Sequence, residues 1–202
     1  YTSMFGHQSD IGGMVPGSIP IHATEIFQEG VRIPPVKIWK KGEYNEDLIA
    51  LIMHQSRTPA WCKADLNPLI ASSRVAAHRV VEMAERFGDD VFVSATDLLL
   101  DRNYRAMQQL ITSSISEEKV SFEDYICDDG MGYGPYKIKC TMWRENGRVV
   151  LDFDGTDPQS KASINMFLNE NMMRMFFGIY MIMVFDPQIL FNDGYYPLID
   201  IR

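Results

Sequence analysis

The sequence predicts an α+β fold of mixed helices and antiparallel hairpins, and three observations point to it. Helical periodicity runs through the stretch 45–115, an Asn146-Gly147 turn separates two alternating runs, and an apolar helical pattern follows at 163–185. The 202 residues, of which 46% are hydrophobic, can bury a sizeable core. Because both ends of the chain look cut, we expect a fragment of a larger multidomain subunit.

The first segment, 1–40, has no regular period. Three glycines and two prolines between positions 12 and 20 exclude a helix there. The run VRIPPVKIW at 31–39 is expected to be extended, because each proline disfavours helical geometry in the residue before it. We therefore predict a loop-rich segment that is held in place by specific contacts.

The second segment, 45–115, is predicted to be helical. A first helix covers 45–56 with Asn45 as its cap, because acidic residues follow in the first turn. A second runs from Asp65 to about Phe87, where its apolar stripe meets a glycine. A third covers roughly 95–115.

The third segment, 120–202, is predicted to be a hairpin followed by a helix. The Asn146-Gly147 pair is the strongest local hairpin signal, and the helix is placed at 163–185. Its most apolar run, 172–185, contains Arg174 and is shorter than the roughly 20 residues that a membrane span requires. We expect a buried helix and no membrane association.

The net charge and the cysteine content limit the functional class of the protein and the compartment in which it works. A net charge of −8 excludes the basic surface that nucleic-acid binding requires. The three cysteines are far apart and form no C-x-x-C pair, which is typical of a reducing, cytoplasmic compartment. The chain is thus expected to act on small molecules or on protein partners.

The stretch HQSDIGGMVPGSIPIHATE carries the candidate site. A phosphate-loop interpretation fails, because Ser18 and Ile19 follow Gly17 where Lys and Ser or Thr are required. Two histidines and one carboxylate form a set that suits Mn²⁺, Fe²⁺ or Zn²⁺. The predicted ligands are His7, Asp10 and His22. The spacing equally allows loop histidines that bond only to backbone carbonyls.

The opening block resembles the hydantoinase B/5-oxoprolinase family. The residues that carry the resemblance are HQSDIGGMVPGS with EIFQEGVRIPPVKIW, then LNPLIASSRVAAHRVVEMAERFG, and finally VVLDFDGTDPQ. The resemblance covers 1–202, so the three segments are identified as parts of one hydantoinase B-type domain. Within the family the chain is most similar to the alpha subunits of acetone carboxylases.

The resemblance implies a catalytic subunit of an ATP-dependent carboxylase that joins acetone and bicarbonate to give acetoacetate. It implies Mn²⁺, or else Zn²⁺ or Fe²⁺, at His7, Asp10 and His22. Glu25 and Glu29 follow three and seven positions after His22, and this spacing predicts that one of them supplies a fourth ligand or orients a ligand histidine. ATP is expected on a partner beta subunit of hydantoinase A type, and a small gamma subunit completes the hetero-oligomer.

Two alternatives stay open at this point. Other family members are subunits of hydantoinases and oxoprolinases, which open cyclic amides with the help of ATP. The chain is otherwise a non-catalytic scaffold subunit that holds no metal. Measured metal content and substrate assays of the assembled complex separate the three possibilities.

Overall fold

The computed structural model describes residues 2–166 and 169–202, which form two compact units. The first unit runs to Arg86 and adds Lys161–Ile164, and the second takes Phe87–Ser160 and Asn165–Arg202. The boundary at Arg86 lies inside the segment 45–115 that the sequence marks as helical. Helices and sheets both occur, which confirms the α+β prediction.

The first unit combines a small hairpin with two helices. Strands β1 (Trp39–Lys40) and β2 (Glu43–Tyr44) pair antiparallel, and helices α1 (Glu46–His54) and α2 (Pro59–Phe87) follow. The predicted cap of α1 is confirmed, because Asn45 accepts a hydrogen bond from the backbone N–H of Leu48 at 3.3 Å. A small apolar cluster, Ile49, Met53 and Cys62, joins the two helices.

The predicted starts of α2 and α3 were wrong, although the end of α2 at Phe87 is confirmed. Helix α2 begins at Pro59 rather than Asp65, since proline is well suited to the first helical position. Helix α3 (Asp89–Ser114) begins directly after Gly88, with two aspartates in its positively polarised first turn. The apolar stripes that guided the prediction start only inside both helices.

The second unit is built on a four-stranded sheet in the order β3-β4-β5-β6. The strands are β3 (Val120–Ile126), β4 (Tyr136–Glu145), β5 (Arg148–Asp152) and β6 (Ile199–Ile201). The first three pair antiparallel, whereas β6 lies parallel to β5. The predicted hairpin is confirmed: Asn146 and Gly147 adopt φ values of 52° and 76°, as its tight turn requires.

Helix α4 (Glu170–Phe185) packs on this sheet together with α3. Asn169 caps it by accepting a hydrogen bond from Met172 N–H at 3.0 Å, so the predicted start at 163 was too early. Part of that predicted range, 167–168, lies outside the described residues. The core of the unit consists of Met107, Ile111, Ile115, Val149, Leu151, Met181, Ile182, Tyr195, Leu198 and Ile199. Among the described residues, none of the helices combines the length and hydropathy of a bilayer span.

Candidate functional site

A glycine-rich loop at 10–18 packs against the connection between α1 and α2 in the first unit. Gly12 adopts a φ of 87°, a conformation that residues with side chains rarely take. A Cβ atom at this position would lie 2.7 Å from the carbonyl oxygen of Gln55. Glycine at position 12 therefore allows the loop to approach the end of α1 closely.

The same loop pairs with the backbone of 28–31. The N–H of Met14 donates to the carbonyl of Gln28, and the N–H of Val31 donates to the carbonyl of Ile11, both at 2.9 Å. Backbone hydrogen bonds of this kind order a segment that lacks regular secondary structure. These two hydrogen bonds hold the loop 10–18 against the segment 28–31.

Asp10 is the centre of the loop and is only 3% exposed. Its Oδ1 atom accepts hydrogen bonds from the backbone N–H groups of Gly12 at 2.9 Å and Arg57 at 3.0 Å. Its Oδ2 atom accepts from the N–H of Gly17 at 2.9 Å and from the Arg57 guanidinium at 3.2 Å. One carboxylate thus joins the loop to the residues between α1 and α2.

Arg57 strengthens this junction through further contacts of its guanidinium. The group donates to the carbonyl of Gly13 at 2.7 Å and to that of Val15 at 3.0 Å. The N–H groups of Arg57, Gly12 and Gly17 outweigh burial and hold the pKa of Asp10 well below its usual range. Asp10 is therefore a charged structural anchor of the loop.

The predicted metal ligands are not brought together as a set. His7 and His22 are exposed, whereas both oxygens of Asp10 already accept two N–H groups each. Within 2–166 and 169–202, no three His, Cys, Asp or Glu side chains form a group that could hold a metal ion. The ligand set of His7, Asp10 and His22 stays a prediction.

Glu25 and Glu29 are also exposed and lie on either side of a short 3-10 turn, Ile26–Gln28. The N–H of Glu25 donates to Gln28 Oε1 at 3.4 Å, and the N–H of Glu29 donates to the Ile26 carbonyl at 3.2 Å. These contacts involve the backbone of both glutamates. Their predicted role in orienting a histidine stays a prediction.

Beside the loop, the first unit contains a cavity of about 340 Å³. This volume is near the lower end of the range of roughly 300–1,000 Å³ that small-molecule sites occupy. Its walls are mainly apolar and include Ile11, Val31, Ile33, Ile52, Met53 and Leu66. Its polar lining groups are Gln8, Asp10, Ser56 and Cys62.

Cys62 marks the polar part of the cavity and is 2% exposed. Its thiol donates to the carbonyl of Asp10 at 2.9 Å, and its Sγ atom lies 3.1 Å from Ser56 Oγ and 3.4 Å from Ser9 Oγ. The sequence alone gives no indication that Cys62 lies beside Asp10. No local pattern predicts these contacts, because Asp10 and Ser9 lie more than 50 positions before Cys62 in the chain.

The second unit contains a comparable buried carboxylate, Asp129, in the loop between β3 and β4. Its Oδ1 atom accepts from the N–H groups of Met131 at 2.9 Å and Tyr133 at 3.1 Å. Its Oδ2 atom accepts from the hydroxyls of Tyr136 at 2.8 Å and Ser160 at 3.0 Å. Burial raises the pKa of Asp129, but these hydrogen bonds outweigh burial and hold it at about 2.

The whole chain, residues 1–202, matches the family described as hydantoinase B/oxoprolinase. It therefore belongs to this family, which confirms the resemblance seen in the opening block. The match extends over both units and includes the Asp10 loop, the cavity and the Asp129 loop.

Individual relatives refine the comparison. The chain is 29% identical to the caprolactamase subunit beta of Pseudomonas jessenii over all of its own length and 34% of that protein. The crystal structure of the ATP-dependent caprolactamase from the same organism superimposes with a TM-score of 0.84 over 98% of this chain. The chain thus spans about a third of the length of the caprolactamase subunit and a smaller share of relatives such as the 5-oxoprolinase of Dictyostelium discoideum, of which it covers 13%.

A second solved structure, of an acetone carboxylase without nucleotide, superimposes with a TM-score of 0.81 over 96% of this chain. Its sequence is 17% identical, and this chain covers 27% of it. The likeness shows that the two share a fold. The expectation of a fragment of a larger multidomain protein agrees with both structural matches.

Proposed function

We propose that this chain is part of an ATP-dependent enzyme that hydrolyses a small cyclic amide. The observation that carries the proposal is the match to caprolactamase subunit beta, which extends over the whole chain in sequence and over nearly all of it in structure. In this proposal the first unit binds the amide and ATP is bound on a partner subunit. The enzyme is then a hetero-oligomer.

The geometry of the first unit supports this role. An amide is stabilised by resonance, so its hydrolysis requires both activation and a fixed position of the carbonyl group. The Asp10–Arg57 junction holds the loop firmly beside an apolar cavity. A wall that is ordered before the ligand arrives reduces the entropy cost of positioning it.

The test is a substrate assay on the assembled complex. Caprolactam with ATP is expected to give the ring-opened amino acid, and omission of ATP is expected to abolish the product. Acetone with labelled bicarbonate is the parallel assay. Labelled acetoacetate without any amide cleavage would favour the second candidate below, and no product from either substrate would favour the scaffold subunit.

The second candidate is the ATP-dependent carboxylation of acetone with bicarbonate to acetoacetate. It is favoured by the shared fold with acetone carboxylase and by the opening block HQSDIGGMVPGS. This chain would then be the alpha subunit, alongside a hydantoinase A-type beta subunit and a small gamma subunit. The candidate brings with it the predicted Mn²⁺, Zn²⁺ or Fe²⁺ site at His7, Asp10 and His22, and the predicted role of Glu25 or Glu29.

Metal content tests that site directly. The metals of the whole protein are measured by mass spectrometry for the wild type, His22→Ala and a matched control, His78→Ala. His78 is suited to this purpose, because its side chain is 72% exposed on α2. Stoichiometric metal that is lost only with His22→Ala supports the ligand set, and a metal-free wild type rejects it.

A further inference from the structure

The four-stranded sheet of the second unit has an apolar face that is only partly covered. Residues that pair across neighbouring strands share a face of the sheet. The registers therefore place on one side Ile199 of β6, Val149 and Leu151 of β5, Met142 of β4 and Val120 of β3. Helix α3 packs over β5 and helix α4 over β6, so the cover lies at the β6 side of this face.

Exposure on this face rises from strand to strand towards β3. Leu151 in β5 is 6% exposed, and Cys140 and Met142 in β4 are partly buried. Phe122 and Val120 in β3 are 70% and 59% exposed. Large exposed apolar patches mark interaction surfaces in soluble proteins. The exposed part of this face, here named the open face, consists of Val120, Phe122, Asp124, Ile126 and Ile138.

Asp124 lies in the middle of the open face and gives it a negative charge. Lys137 does not balance this charge, because it pairs with Glu123 on the opposite face of the sheet at 3.7 Å. Arg144 is on the same face as Asp124 but pairs with Glu117 at 3.0 Å. A segment that covers the open face therefore has to bring a basic side chain of its own, since a carboxylate buried without a partner is strongly unfavourable.

The dimensions of the sheet favour a helix as the covering segment. A helix with its side chains is about 10 Å across, and neighbouring strands lie about 4.8 Å apart. One helix placed beside α3 would therefore cover both β3 and β4. It would continue the layer that α3 and α4 already form on this face.

A second copy of this chain does not match the charge of the open face. Packing two open faces together would bury both Asp124 carboxylates in one apolar interface, and neither face supplies a basic side chain to pair with them. A different chain can carry the basic residue that Asp124 requires.

We propose that the open face docks an amphipathic helix of a partner subunit, and that this helix carries a lysine or arginine next to Asp124. The inference rests on the proposed function, in which the enzyme is a hetero-oligomer, and it assigns a surface at which the subunits meet. Phe122 is the most exposed apolar side chain of the open face and is the main anchor. A few such buried anchors contribute most of the binding energy of an interface.

Photo-crosslinking in the assembled complex identifies what covers the open face. The photoreactive amino acid p-benzoylphenylalanine replaces Phe122 in one sample and Tyr125 in the control. Tyr125 is 52% exposed and lies on the opposite face of the same strand. Peptide mass spectrometry is expected to join position 122, but not position 125, to a helical segment of the partner subunit that contains lysine or arginine.

Three results of this experiment overturn the proposal. The first is a crosslink from position 122 only to the same polypeptide or to a second copy of it. The second is the absence of any crosslink from position 122. The third is the same crosslink from both positions, because the contact would then not be specific to the open face.

A matched pair of lysine substitutions measures the contribution of Phe122 to assembly. Phe122→Lys is expected to raise the dissociation constant of the complex about tenfold or more, because it removes the anchor and faces a basic helix. Tyr125→Lys is expected to change it less than about twofold. Thermal unfolding of each variant before assembly checks that both fold as the wild type does. Equal dissociation constants for the two variants contradict the proposal.

A second matched pair tests the charge of the open face. Asp124→Asn is expected to weaken assembly about tenfold and to reduce its dependence on salt, because the basic residue of the partner loses its counter-charge. Glu123→Gln, on the opposite face, is expected to leave assembly unchanged. An Asp124→Asn complex as tight as the wild type contradicts the basic partner residue.

Assembly is measured without ATP or substrate, so it fails separately from the proposed function. A complex that assembles through the open face but cleaves no amide would support the docking surface and reject the amide hydrolase. A complex that cleaves the amide and assembles normally with Phe122→Lys would support the hydrolase and reject the docking surface.

Discussion

Asp10 in the first unit and Asp129 in the second unit are both 3% exposed, and each accepts four hydrogen bonds. Their partners differ in kind. Asp10 accepts from N–H groups only, two of which belong to Arg57. Asp129 accepts from two N–H groups and from two hydroxyls, those of Tyr136 and Ser160.

The difference decides how much each loop depends on its carboxylate. An N–H group can only donate, whereas a hydroxyl can rotate and accept instead. The loop of Asp10 therefore requires an anion, and Arg57 supplies the balancing charge. The loop of Asp129 is able to adapt. We conclude that the Asp10 loop, which lies beside the cavity, is held rigidly. The Asp129 loop can rearrange its hydrogen bonds, because two of the donors to Asp129 are hydroxyls.

The largest effect is expected from Asp10→Asn compared with Asp129→Asn. The N–H₂ group of an asparagine at position 10 would point at N–H groups that can only donate, so these hydrogen bonds would be lost. The Arg57 guanidinium would also lose its counter-charge. At position 129 the Tyr136 and Ser160 hydroxyls can turn to accept from the amide. Urea denaturation is expected to show a clearly larger loss of stability for Asp10→Asn, and equal losses would contradict the distinction.

A second comparison replaces one glycine in each loop by alanine. Gly12 and Gly132 have nearly the same φ, 87° and 88°, but a Cβ at Gly132 would have no atom within 4 Å. Gly132→Ala is expected to cost about 1–2 kcal/mol for the left-handed conformation alone. Gly12→Ala adds a clash with the Gln55 carbonyl and is expected to cost about 1–3 kcal/mol more. The midpoints of chemical denaturation provide the measurement.

The third prediction concerns acid. Both aspartates have a folded pKa below the ordinary value of 3.8, so the unfolded chain takes up protons first as the pH falls. The stability that Asp129 contributes is complete above pH 3.8 and is lost as the pH falls towards its folded pKa of about 2. The stability that Asp10 contributes persists to lower pH, because the folded pKa of Asp10 lies below that of Asp129.

Stability measured across about pH 5 to pH 2 checks this order. Asp129→Asn is expected to flatten the acid slope between the ordinary and the folded pKa of Asp129. An unchanged slope in this variant would show that other carboxylates dominate acid unfolding.

The smallest effect is expected from Ser160→Ala. It removes one hydroxyl from the Asp129 loop and leaves three donors in place, so a loss of about 1 kcal/mol is expected. Thermal unfolding of this variant beside Ser113→Ala, an exposed serine in α3, provides the control. A loss as large as that of Asp10→Asn would contradict the adaptable character of this loop.

The sequence predicted those parts of the fold that depend on neighbouring residues. Asn45 caps α1, and Asn146-Gly147 turns the hairpin, because both signals act within a few residues. Helix α2 begins before its apolar stripe, which starts at Leu66, because Pro59 suits the first helical position. The hairpin of β1 and β2, with its turn at Lys41 and Gly42, was also missed.

The sequence indicated candidate site residues in the opening loop, but it did not predict which residues they contact. The opening block predicted Asp10 as a metal ligand, whereas the structure shows it as a buried carboxylate that joins the loop to Arg57. The partner of Asp10 is Arg57, which lies 47 positions away, and no periodicity connects the two. Cys62, which also lines the cavity, lies 52 positions from Asp10, so no local pattern in the sequence predicts the cavity.

The parallel pairing of β6 with β5 has a consequence for biosynthesis. Ile199 is fully buried in the core of the second unit, beside Val149 in the neighbouring strand. A ribosome releases the antiparallel strands β3, β4 and β5 well before residue 199 emerges. Until then the outer edge of β5 is unpaired, and the nascent chain exposes an incomplete apolar surface. Pauses in translation just upstream of Ile199 are therefore expected to increase the demand for chaperones.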